Sequence, residues 1–231
     1  MHIGLFQRHP DVQTETEVAG ELAYFGLASW WSTLFTQVER DRIEERFQLP
    51  GLPPDARPLT TGRKRLDFRS AASLLTALAG YVGNEPEDRT VAMRLLAKAE
   101  ERAKGEDDVL ALHVVYQEMI RLHCRWRTRI PEALDLVFGA CHKQIAIAPQ
   151  AAQAFRQRRP RQALPIHMGF QTMAILLDGE ESYARAIEVC KQARFQGWSG
   201  NWTWRIGCLA RKLSEHGNPV RPISRSGLGP V

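Results

Sequence analysis

Residues 167–215, HMGFQTMAILLDGEESYARAIEVCKQARFQGWSGNWTWRIGCLARKLSE, decide the fold. Phe170, Met173, Ala174 and Leu177 recur every three or four residues, which places them on one face of a helix. Glu180 and Glu181 suit the start of a second helix, where acidic side chains favour the helix dipole. That helix carries Ala186, Cys190 and Ala193 at the same spacing. Small Ala174, Ala186 and Ala193 let the two helix backbones approach closely, so the pair reads as a hairpin. Gly197-Trp198-Ser199-Gly200 stops the second helix, because glycine accepts the left-handed conformation that helix ends favour. Asn201 is placed to cap a last helix through its side-chain oxygen. On that helix Trp202, Ile206, Leu209 and Leu213 share a face, with Arg205, Arg211 and Lys212 elsewhere. One apolar stripe and one polar face suit a terminal capping helix. Gly217 and Pro219 are expected to end it, leaving a loose tail over 217–231.

Upstream, the body reads as helical almost throughout. Helices are predicted over Arg69–Val82, Pro86–Lys104, Asp107–Trp126 and Pro131–Ile147, with a short one over Gln150–Arg156 and a basic, proline-bearing joint over Gln157–Pro165. Prolines 86 and 131 stand where a first helical turn tolerates one. No segment long enough to assign alternates like a strand. A first long helix is predicted from about Thr16 to Phe47, with Tyr24, Leu27, Trp31, Leu34 and Val38 as its apolar stripe and a charged, exposed end. Pro50, Pro53, Pro54 and Pro58 then exclude a continuous helix. The expected organisation is an N-terminal helical segment (1–50), a proline-rich linker (51–66), a helical body (67–216) and the tail.

The alanine spacing recurs. Ala92, Leu96 and Ala99 repeat it with Ala79-Gly80 on the preceding helix, and Ala133, Val137 and Ala140 repeat it with Arg121 at the small-residue position. The equivalent alanines lie 41 and 53 residues apart. With Tyr183 opening the second helix of the C-terminal pair, the pattern resembles a divergent tetratricopeptide repeat over about Phe68 to Glu215. It departs from the family in repeat length, and in Trp198, which stands where proline is usual. The resemblance implies an all-α solenoid of helical hairpins with a long N-terminal helix and a C-terminal cap. It implies further a concave surface lined by the first helix of each pair, where a protein or peptide partner binds. The alternative is a generic helical bundle in which the alanines reflect close packing alone.

Composition fits a globular chain, with 44% hydrophobic and 25% charged residues and a net charge of +5. The charge is uneven: between Ile120 and Arg161 stand nine Lys or Arg against Glu132 and Asp135. Four cysteines stand singly, as core residues rather than metal or redox pairs, and suit a reduced, cytoplasmic setting. The start Met1-His2-Ile3-Gly4 does not read as a secretory signal. The apolar stretch 22–38 is too short and too polar for a membrane span, which needs roughly 20 mostly apolar residues.

His113, Gln117, Arg121 and Arg125 recur every four residues and line one stripe of one helix. Under the repeat resemblance, Arg125 and, on the last hairpin, Gln171 face the concave groove with Arg121 nearby, where arginine forks suit carboxylates or phosphates. The bland alternative is a water-facing stripe. The run 156–161, RQRRPR, fits either an exposed loop or a phosphate-contacting, nucleic-acid-associated surface. The aromatic N-terminal helix is a candidate for self-association. Catalysis finds little support: His113 and His123 are about 15 Å apart along their helix, too far to share a metal. His142 cannot chelate easily with adjacent Cys141, and Asp107-Asp108 suits a helix start. With no phosphate loop, nucleophile elbow or His-Glu-x-x-His, the chain is expected to be a cofactor-free binding protein rather than an enzyme.

Overall fold

A computed structural model describes residues 18–48, 51, 53, 56–61, 66–130 and 132–216. Thr16, most of the proline-rich stretch, Pro131 and the tail from Gly217 onward lie outside the described residues. No helix among the described residues is long and apolar enough to cross a membrane. The chain forms two compact units, residues 1–67 and 68–231.

In the first unit the expected single helix is three: α1 (Gly20–Tyr24), α2 (Ala28–Leu34) and α3 (Gln37–Arg46). Two local causes break it. Gly26 adopts a positive φ of 65° after α1. Phe35 is extended, and Thr36 then starts α3 with a capping box shared with Glu39. The single-stripe expectation fails with the helix: Leu27 and Trp31 are buried, whereas Tyr24, Leu34 and Val38 are exposed. The charged end of the predicted helix is not wholly exposed either, since Ile43, Glu44 and Phe47 are buried. Part of the expected linker is packed into this unit. Leu59 is fully buried, Thr60 donates to Glu44 at 2.6 Å and Arg57 pairs with Asp41 at 2.6 Å. Gly20, at φ 64°, lies so close to this segment that a Cβ would meet the Pro58 carbonyl at 2.6 Å.

The second unit is built from hairpins. α4 (Ala71–Val82) pairs with α5 (Arg89–Gly105), α6 (Val109–Trp126) with α7 (Ala133–Ala146), and α9 (Met168–Gly179) with α10 (Tyr183–Gln196). Pro86 opens a 3-10 turn ahead of α5 rather than the helix itself. The small Ala174, Ala186 and Ala193 of the last pair are fully buried, and so are Ala79, Ala92 and Ala99 upstream. Successive hairpins pack through α5 on α6 and α7 on α9. α8 (Ala148–Arg158) is longer than predicted and packs on α6. Gly197 ends α10 with a φ of 83°, and α11 (Trp202–His216) lies on α10 with Trp202 and Leu209 buried.

One departure from the all-helical reading is a parallel pair of short strands, β1 (Leu164–Ile166) and β2 (Trp198–Ser199), flanking the α9–α10 hairpin. Leu164 pairs with Trp198, and the Ser199 hydroxyl donates to the Leu164 carbonyl. Trp198, which departs from the repeat pattern, is thereby buried between the hairpin and the body.

Candidate functional site: a groove between α4 and α6

α4 and α6 lie side by side in the same direction. Arg121 donates to the Gly80 carbonyl at 3.4 Å and Arg125 to the Asn84 side chain, each reaching 41 residues back. That offset equals the spacing of Ala92 and Ala133, the first of the two alanine intervals. It also explains why Arg121 stands where a small residue was expected: the small residue is opposite it. A Cβ at Gly80 would meet Glu118 Oε1 at 3.0 Å, so the glycine leaves room for the Glu118–Arg121 ion pair. The Glu118 hydrogen bonds hold the Arg121 guanidinium above its ordinary pKa, so it stays charged while half-buried.

Between the helices runs a groove of about 700 Å³, with α8 along one end. Such a volume falls among ligand and peptide sites, which run to roughly 300–1,000 Å³. Its floor on α4 is made of small side chains, Ala72, Ser73, Thr76, Ala77 and Gly80, with the Tyr81 ring beside them. Val114 on α6, about half exposed, and Phe155 on α8 add apolar wall. From Ser70 to Asn84 the floor is about 20 Å long at the rise of a helix. The two ends differ in charge. At the Asn84 end Arg121 is neutralised by Glu118, and Arg125, outside the lining, is held at the edge by neutral Asn84. At the Ser70 end Arg69, Arg158 and Arg159 all line the groove and are exposed, and the one carboxylate there, Asp108, caps the Ala111 amide at 2.9 Å. Among the described residues no ion pair engages these three arginines.

The structure divides the stripe read from the sequence. Arg121 lines the groove and Arg125 reaches its edge through Asn84, whereas half-buried Gln117 and exposed Gln171 do not line it. His113 is a correction. Only 2% exposed, it belongs neither to a groove nor to a water-facing stripe, because α8 and the α9–α10 hairpin cover its end of α6. Its ring stacks on Trp198 at 5.4 Å, nearly parallel, and meets His167 edge-on at 5.0 Å and Phe155 at 5.5 Å. His167 caps α9, its Nδ1 accepting the Phe170 amide at 3.2 Å. Burial pushes His113 down to about 4. Burial, with His113 beside it, takes His167 to about 3. Beneath them Gln144 of α7 donates to the His113 carbonyl at 2.9 Å and accepts the Gly169 amide at 2.6 Å, tying three helices together.

The sequence reading missed Arg69, Val114, Phe155 and the small-residue floor. Its available signal was the recurrence of small residues at 72, 73, 76, 77 and 80, which leaves one side of α4 without bulk. No group of three metal-ligating side chains occurs among the described residues. Compared with known proteins, the chain matches no family model, no curated protein and no solved structure.

Proposed function

We propose that the chain is a helical-repeat adaptor, a tetratricopeptide-like array that binds a peptide segment of another protein in the groove between α4 and α6. The observation that carries this reading is the groove itself: two parallel first helices, 41 residues out of step, enclose a floor of small side chains with apolar walls. Small floor residues allow a second backbone to approach closely, and half-exposed Val114 gives it apolar surface to cover. On this reading the chain acts by binding rather than by catalysis, and the second helices, with their buried alanines, serve as scaffold.

Selection from a display library of random peptides of about 15 residues, a length matched to the floor at the rise of a helix, tests the reading on the full chain. Peptides enriched on the wild type are expected to lose binding on Ala77→Trp, which fills the floor, and on Val114→Trp at the exposed wall. Thermal melting of both variants establishes that they are folded. Enriched peptides that bind both folded variants as well as the wild type sink the assignment, as does a wild type that enriches nothing.

A further inference from the structure

The groove is not electrically neutral, and its imbalance is local. Four arginines line it against two carboxylates, and both carboxylates are already engaged, Glu118 with Arg121 and Asp108 with the α6 amide. The surplus of two positive charges therefore lies at the Ser70 end, where Arg69, Arg158 and Arg159 face the single carboxylate Asp108. These arginines come from two elements far apart in sequence, the residue before the Ser70 cap of α4 and the C-terminus of α8. Arg158 and Arg159 are placed where a helix C-terminus favours cations. Arg159 makes one neutral contact, to Gln162 Oε1 at 3.3 Å. Three guanidinium groups against one carboxylate, at the mouth of a site with a small-residue floor, leave a net positive charge to be met from outside the described residues.

From this we infer that the groove takes an acidic amphipathic segment of a partner protein, its apolar side on Ala77 and Val114 and its carboxylates at the end held by Arg69, Arg158 and Arg159. The inference rests on the peptide-binding reading above and adds the chemistry and polarity of the ligand. Guanidinium forks match carboxylates in paired hydrogen bonds, and the partly apolar surroundings strengthen them relative to open water. The same charges steer an acidic partner toward the site from a distance, so association slows as salt screens them. A nucleic-acid strand fits less well. Its charge is uniform along its length, whereas the lining carries uncompensated arginines at the Ser70 end only, Arg121 at the other end being paired with Glu118.

The test uses the same random library on the full chain, on the charge-reversed Arg158→Glu/Arg159→Glu chain, and on Arg211→Glu as an exposed control on α11. The wild-type and control pools are expected to be enriched in clustered Asp and Glu beside apolar residues. That acidic bias should vanish on the double reversal. An acidic peptide taken from the pool should bind the double variant at least about tenfold more weakly, because losing two rim charges is worth about that much and the new carboxylates add repulsion. A groove-dependent pool without acidic bias, or a bias that survives the reversal, overturns the inference while leaving the groove reading intact. Loss of all enrichment on the wild type overturns both. A 15-residue oligothymidylate that outcompetes the selected peptide on the wild type but not on the double variant overturns the inference in favour of nucleic acid.

Discussion

Replacing His113 with Phe should make the protein less sensitive to acid, and the size of the effect follows from where the imidazole sits. In the unfolded chain a histidine titrates near its ordinary value of about 6.5. In the fold, burial against Trp198 and Phe155 lowers His113 to about 4. A depressed histidine leaves stability untouched well above pH 6.5, where both states are neutral. As pH falls below 6.5 the unfolded chain takes up a proton that the folded chain refuses, so stability declines at about 1.4 kcal/mol per pH unit. The decline stops near the folded value of about 4. Between pH 7 and pH 5 this one group removes about 2 kcal/mol. His167, lowered to about 3, and His123, lowered to about 4 by burial and the nearby Arg89 charge, add comparable amounts. Together they take about 5–6 kcal/mol, comparable with the whole stability of a small domain at about 5–15 kcal/mol. Phe keeps the aromatic contacts, and the Nδ1 it removes has no hydrogen-bond partner among the described residues. Urea unfolding followed by circular dichroism at pH 7, 6 and 5 supplies the measurement, because carboxylate titration is common to both proteins and cancels. The wild type should lose about 2 kcal/mol more than His113→Phe over that range. Parallel stability curves for the two proteins would refute the burial argument.

Gln144→Ala strips partners from the His113 carbonyl and the Gly169 amide, both buried, and should cost about 2–6 kcal/mol in urea unfolding at pH 7. A cost below about 1 kcal/mol would mean that these backbone groups find water. Gly83→Ala places a Cβ 2.8 Å from the Ala79 carbonyl and 2.7 Å from Leu122, so it should destabilise by about 1–3 kcal/mol although its backbone conformation suits alanine. Cys141 and Cys190 are buried, and their thiols are pushed up to about 12 and about 11. Little thiolate forms at pH 8, so iodoacetamide followed by mass spectrometry should leave both unmodified in the native chain and modified in urea.

The C-terminal hairpin was legible because its signal is local. Ala174, Ala186 and Ala193 sit on helices that face each other across a short turn, and spacing alone reveals such faces. The same logic failed at the N-terminus, where the apolar period runs on through residues 24–38 but Gly26 and extended Phe35 redirect the backbone. Periodicity reports side-chain character and is silent about a single turned residue. His113 shows a second limit. Its four-residue spacing with Gln117, Arg121 and Arg125 marks a true stripe, yet α8 and Trp198 cover one end of that stripe and leave the other open. What covers a face is decided by elements distant in sequence. The groove stayed hidden for the same reason: Arg69 and Arg158 are neighbours of one cavity only once α8 has packed on α6.

The parallel strand pair sets how the last hairpin comes apart. A parallel connection needs a long crossover, and here an entire helical hairpin serves as that crossover. Leu164 and Ser199, joined by a hydrogen bond 35 residues apart in sequence, close it at its base. Fraying of either helix alone is therefore opposed by the clasp, and opening becomes a single sub-global event. Native-state hydrogen exchange should show the amides of α9 and α10 sharing one opening free energy. Ser199→Ala, which removes the side-chain bond and leaves the backbone pairing, should lower that shared opening free energy.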